Sequence, residues 1–203
     1  MTFAFGFPFS AATYALFVLS AATLVATPGP DTLFVLSRAV EDRRTGLHAA
    51  AGVTTGILFH TALVVVGVAA VYRTIPGAEP LIRTAGGVYL CYLGVDTFWS
   101  AGTAAPSTAG GLREGFLVNA LNPQVALFFL AFLPGFVPAG AGETVPLAVL
   151  GVTYAALTAA YLGAVAVLAD GAAAYLRSDG LDRLLNRVAG AVLVALGGWL
   201  LLS

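Results

Sequence analysis

Charge is what this sequence has least of. Only 9% of its 203 residues are Asp, Glu, Lys or Arg, against about 25% in an ordinary soluble domain. Nine basic and ten acidic side chains are too few to clothe a water-soluble fold of this length, which argues against a soluble globular enzyme. Lysine is missing; every basic residue is an arginine, and the formal net charge of −1 leaves no basic field for nucleic acid. Cys91 is the lone cysteine, so no internal disulfide and no CxxC redox pair can form. No Arg or Lys precedes Arg38, so the start does not read as a secretory signal. A GxSG motif is absent and the aspartates are scattered, which disfavours an intramembrane protease. One Met, one Cys and two His are a poor donor set for soft metals.

What is present is apolar. Hydrophobic residues make up 59%, and the mean hydropathy is +0.93. Six apolar segments are separated by Gly, Pro, Ser and charge: about 11–40, 47–71, 81–101, 116–133, 145–169 and 184–202. The intervening stretches are 41–46, 72–80, 102–115, 134–144 and 170–183. Each run is near the ~20 residues that a helix needs to cross a bilayer. Lipid offers no hydrogen-bond partners, so each run must be helical; the runs are too long for barrel strands. Arginine placement gives an orientation. Arg38, Arg43, Arg44, Arg113, Arg177, Arg183 and Arg187 flank loops one, three and five, whereas Arg73 and Arg83 lie on the other side. The excess puts the odd loops in the cytoplasm and, with six spans, both termini outside.

The halves echo each other. Gly29-Pro30 before Leu33-Phe34-Val35-Leu36 is matched by Asn122-Pro123 before Leu127-Phe128-Phe129-Leu130. Gly52-Val53-Thr54 is matched by Gly151-Val152-Thr153. Arg83, Ala85, Gly86 and Val88 recur as Arg187, Ala189, Gly190 and Val192. Three matches in the same order suggest a duplicated three-helix unit. An odd number of spans per unit inverts the second copy, the plan of many secondary transporters. The expected fold is therefore an all-α membrane protein with six transmembrane helices as two inverted three-helix repeats, helices one and four being broken. It forms one transmembrane domain over 1–203, with repeat one about 1–101 and repeat two about 113–203.

The breaks come from proline chemistry. Proline lacks an N–H and drives the preceding residue out of the helical region. Thr27-Pro28-Gly29-Pro30 must unwind helix one, and Pro30 suits the first position of a new half-helix capped by Gly29. Asn122-Pro123-Gln124 reads the same way, with Asn122 as cap. Pro30 stands about 12 Å of helix from Arg38, well inside the apolar run. Free amides at such half-helix starts carry partial positive charge, and paired breaks point to a substrate site near mid-membrane.

Pro28, Gly29, Pro30, Asp31, Asn119, Asn122, Pro123 and Gln124 are thus the candidate substrate-binding residues. Asp31 has three readings: partner of a substrate ammonium, proton carrier, or simple helix-start charge. His60, mid-way along segment two, is a proton-coupling candidate or a neutral histidine bonded to a neighbouring helix. His48 reads as interfacial. Tyr14, Tyr89, Tyr92, Tyr154 and Tyr161 read as a polar path or, more simply, as belt and packing residues. Gly52, Gly56, Gly86-Gly87 and Gly197-Gly198 suit close helix packing. Asp96 and Asp170 read as interfacial charges. No metal site and no cofactor are expected.

Pro28-Gly29-Pro30-Asp31-Thr32-Leu33, Gly46-Leu47 with Gly52 and Gly56, Ala85-Gly86-Gly87-Val88-Tyr89-Leu90-Cys91-Tyr92-Leu93-Gly94 and the run Gly115 to Phe129 containing Asn119-Ala120-Leu121-Asn122-Pro123-Gln124 resemble the LysE/RhtB family of amino-acid exporters over essentially the whole chain. The resemblance implies a multi-pass inner-membrane exporter of amino acids or their derivatives, driven by the proton gradient. Its expected partners are a small-molecule substrate and the bilayer, with homodimerisation left open. The family often has Asn after PGP and Lys after NP; here those places hold Asp31 and Gln124. Substrate preference therefore does not carry over. A metal or cation exporter on the same scaffold is the alternative.

Overall fold

The computed structural model describes residues 8–74, 78–99, 111–137, 144–169 and 179–202. Among these the chain is all helix: α1 (Ala11–Ala26), α2 (Pro30–Glu41), α3 (Arg43–Thr74), α4 (Ala78–Trp99), α5 (Leu112–Ala120), α6 (Pro123–Phe132), a 3-10 turn at Pro134–Phe136, α7 (Thr144–Val167) and α8 (Asp179–Leu202). Asp170, Arg177 and the start of repeat one lie outside the described residues, as do the side chains of Arg73, Arg83, Pro123 and Arg183.

The proline rules account for both breaks. Thr27, which precedes Pro28, is extended (φ −76°, ψ 121°) and ends α1. Gly29 is the extended N-cap of α2, and Pro30 opens that helix. The two pieces meet at 53°. Asn122, which precedes Pro123, is extended (φ −79°, ψ 107°) and caps α6, and α5 meets the α6 arm at 66°.

Two expectations need correction. The charged stretch 41–46 reads as a loop, but the interruption is Asp42 alone, between α2 and α3. Asp42 Oδ2 accepts from both the Thr45 N–H and the Thr45 hydroxyl at 2.8 Å. Asp is a strong N-cap, so α3 restarts at once, and those bonds hold the Asp42 carboxyl below the usual carboxylate range. Arg38, counted with that loop, is instead a buried residue in the last turn of α2. Its stem is covered while Nη1 donates to Glu41 Oε2 at 3.0 Å.

Glycine lets backbones touch. A Cβ at Gly94 would lie 2.7 Å from the Gly190 carbonyl, and one at Gly190 would lie 2.6 Å from the Gly94 carbonyl. Gly87 and Gly197 repeat this reciprocal approach, so α4 and α8 run antiparallel with backbones in contact. Gly52 and Gly56 seat α5 against α3, and Gly151 receives Thr61 of α3. Gly198, expected in the same role, has nothing near it.

Two apolar clusters form. One centres on Phe17, Phe129, Phe132 and Leu150, and the other on Phe34, Val35, Val53 and Leu162. In the first, aromatic rings meet in sequence: Phe128 stacks on Phe132 at 4.8 Å, Phe132 meets Phe136 edge to face at 5.1 Å, and Phe136 meets Phe17 edge to face at 5.2 Å between centroids. The outside is also apolar. Leu19, Val66, Leu81, Tyr92 and Trp99 are each at least 65% exposed, a surface that belongs in hydrocarbon. Arg43–Val68 and Thr144–Val167 are each long and apolar enough to cross a membrane. Each bent pair supplies one more span if it crosses as a unit, for up to four among the described residues.

The close α4–α8 approach makes a prediction. Gly94→Ala forces backbone apart and should cost about 1–3 kcal/mol, whereas Gly198→Ala should be neutral or slightly stabilising. Thermal unfolding of the two variants in detergent checks this; equal melting temperatures would contradict the seam.

Candidate substrate site

The N-terminus of α2 is open. Gly29 offers no side-chain cap, Pro30 has no N–H, and the first intrahelical bond runs from the Leu33 N–H to the Gly29 carbonyl. The Asp31 and Thr32 amides therefore have no partner within the helix. The N-terminus of α6 is partly closed: Asn122 Oδ1 accepts from the Gln124 N–H at 3.0 Å.

One residue ties the two breaks together. Asn119, in the last turn of α5, is fully buried, and its Nδ2 donates to Asp31 Oδ2 at 2.8 Å. Its carbonyl, orphaned where α5 ends, accepts from the Asn122 N–H at 3.0 Å. His60 Nε2 of α3 lies 3.1 Å from the same carbonyl. A carbonyl only accepts, so His60 carries its proton on Nε2 and donates. The histidine ring is 2% exposed and packs beside Phe59 and Phe129. Asn119 fits because Gly56 has no side chain: a Cβ there would sit 2.6 Å from Asn119 Oδ1.

A cavity of about 300 Å³ lies at the breaks. Pro28, Gly29, Pro30, Asp31, Asn122 and Gln124 all line it, so six of the eight candidate residues share one space. Asn119 and His60 are not in its lining; Asn119 bonds to Asp31 and Asn122, which are, and His60 bonds to Asn119. The side chain of Pro123 is outside the described residues. Val25, Ile57, Leu93, Val125, Phe128 and Leu193 make much of the remaining wall apolar.

The structure adds residues that sequence reasoning passed over. Thr158 lines the cavity between Tyr154 and Tyr161 on α7. The spacing 154, 158 and 161 is one helical face, a signal available in the sequence. Asp96, read as an interfacial charge, also lines the cavity, with Thr97. Two other tyrosines pair elsewhere: the Tyr14 hydroxyl lies 2.8 Å from Thr153 Oγ1, and the Tyr89 hydroxyl donates to the Gln124 carbonyl at 3.4 Å. Among the described residues, no three His, Cys, Asp or Glu side chains come together.

Known proteins are similar. The family model described as LysE type translocator matches residues 22–203. A leucine efflux protein of Enterobacter sp. (strain 638) is 33% identical over 63% of this chain and 65% of its own length. A homoserine/homoserine lactone efflux protein of Salmonella typhi is 26% identical over 91% of this chain and 93% of its own. An uncharacterized membrane protein of Vibrio cholerae is 26% identical over 89% and 92%. The match to the leucine efflux proteins spans just under two thirds of their length. No solved structure matches.

The Asp31–Asn119 bond predicts energetic coupling between the breaks. In a cycle of Asp31→Ala and Asn119→Ala, the second substitution should cost less once the first is made, by about 1 kcal/mol. Unfolding of the four proteins in detergent measures the coupling; strictly additive losses would contradict the bond.

Proposed function

This chain belongs to the LysE type translocator family, and from that premise we propose that it exports small amino acids or their derivatives across the bacterial inner membrane, coupled to proton entry. It is a multi-pass membrane protein. On this reading α4 and α8 cross the bilayer as well, giving six spans in two inverted repeats, about 1–101 and 113–203, that rock about the shared cavity.

The observation that carries the proposal is the single cavity bordered by both breaks. A zwitterion suits it. The open amides of α2 and the dipole of α6 favour a carboxylate, and the Asp31 carboxylate favours an ammonium. The apolar wall suits an uncharged side chain, in keeping with the leucine and homoserine of the relatives' names.

Asp31 also supplies a simple coupling scheme. One carboxylate cannot hold a proton and an ammonium group at the same time. Protonation from the outer side releases the substrate there, and deprotonation on the inner side readies the site for the next. His60, bonded to the Asn119 carbonyl, is the second proton-coupling candidate. The metal or cation exporter draws less support, because the relatives' names speak of amino acids and no donor cluster gathers among the described residues.

Proteoliposomes loaded with a panel that includes leucine and homoserine should show efflux that accelerates when a pH gradient is imposed. Asp31→Ala should lower the rate at least about tenfold, the scale of one charge-assisted contact, with the protein level near that of the unaltered chain. No gradient-dependent flux of any panel member would contradict the proposal. Loss of the Asp31→Ala protein from the membrane would assign Asp31 a folding role instead.

A further inference from the structure

A threonine inside a helix ordinarily turns its hydroxyl back to the carbonyl four residues earlier. Six threonines among the described residues do so. Thr23 bonds Leu19, Thr27 bonds Thr23, Thr54 bonds Ala50, Thr55 bonds Ala51, Thr61 bonds Ile57 and Thr153 bonds Val149, all at 2.8–2.9 Å. Thr158 departs from the pattern. It lies on the same helix as Thr153, five residues on, and is 6% exposed. Its Oγ1 is buried with no hydrogen-bond partner. A hydroxyl that forgoes the bond at hand inside a membrane helix is costly unless something else meets it.

Thr158 is one of the residues that line the cavity. Asp31, on the α2 side of the same space, presents a second buried oxygen without a partner, Oδ1. Its sister oxygen is already engaged by Asn119. Two residues that line the cavity, one on α2 and one on α7, thus each carry a buried oxygen without a partner. An ionised carboxylate oxygen accepts only, so its missing partner is a donor; a threonine oxygen can accept as well. A group with several N–H bonds and positive charge satisfies both at once. A carboxylate in that place would instead be repelled by Asp31.

We propose that Thr158 is a substrate-binding residue, its Oγ1 accepting one N–H of the substrate's α-ammonium group while Asp31 Oδ1 accepts another. The assignment rests on the export reading above and deepens it. Asp31 supplies the charge. Thr158 supplies direction, turning the ammonium so that the carboxylate falls toward the open amides of α2. Tyr154 and Tyr161, one turn to either side on the same face of α7, wall the position.

The test compares Thr158→Val, which keeps the shape and loses the oxygen, with Thr158→Ser, which keeps the oxygen. Leucine efflux is measured across concentrations in proteoliposomes holding the full chain. Thr158→Val should raise the half-saturating concentration about tenfold, the scale of a hydrogen bond to a charged group, with the maximal rate within about twofold. Thr158→Ser should stay near the unaltered protein. If Thr158→Val does not run as a single species in detergent, Thr158→Ala carries the same comparison. An unchanged half-saturating concentration in the variant lacking the oxygen would overturn the assignment and leave the export function standing. Equal loss in the Ser and Val variants would overturn it too, marking a packing role. An unaltered chain that moves no amino acid would sink both.

Discussion

A helix opened inside lipid exposes peptide groups that lipid cannot satisfy. The rest of this structure follows from how that demand is met. At the second break the burden falls on Asn119. Its carbonyl, freed where α5 ends, takes the Asn122 N–H and faces His60, while its side-chain amide reaches 88 residues back to Asp31 at the first break. One buried residue thereby serves the backbone of one opening and one carboxylate oxygen of the other. The two openings meet because this bond and the close fit of Asn119 against Gly56 leave little freedom to separate them.

The same balance explains why Asp31 is tolerated. A carboxylate at the centre of a membrane helix costs about 2.5–3.5 kcal/mol on insertion scales. The start of α2 offsets part of this through its dipole, and the Asn119 bond offsets more. What is left over is the unpartnered Oδ1 beside the uncapped amides of α2. α6 differs, since Asn122 already occupies its Gln124 amide. The two half-helix starts are alike in sequence pattern but not in availability, so cargo recognition should lean on the first break. The row of aromatic rings Phe128, Phe132, Phe136 and Phe17 extends from the cavity wall into the larger core and gives the cavity an apolar flank.

Much of this was legible in the residues because proline acts locally. Pro28, Pro30 and Pro123 dictate their neighbours' backbone angles in any surroundings, so the breaks, the Gly29 and Asn122 caps and six of the cavity's residues could be read directly. Partner choice is not local. Nothing in the sequence says that Asn119 meets Asp31 or that His60 meets a peptide carbonyl. The stretch 41–46 misled because charge suggests a loop, while Asp42 and Thr45 make a cap that needs one residue. Thr158 was hidden in a long apolar helix. Its face with Tyr154 and Tyr161 is visible at helical spacing, but only the absence of the usual hydroxyl bond sets it apart. Asp96 looked terminal because its place near the end of α4 says nothing of which wall it joins.

That both openings hold one cargo is tested most directly by protection from thiol labelling. Val25 borders the cavity beside the first break and Val125 beside the second. Each is replaced by cysteine in a Cys91→Ser background, and the labelling rate is followed with and without a transported amino acid. The account requires that the same amino acid, over the same concentration range, slows labelling at both positions. Protection at one position alone, or at neither while efflux persists, would contradict it.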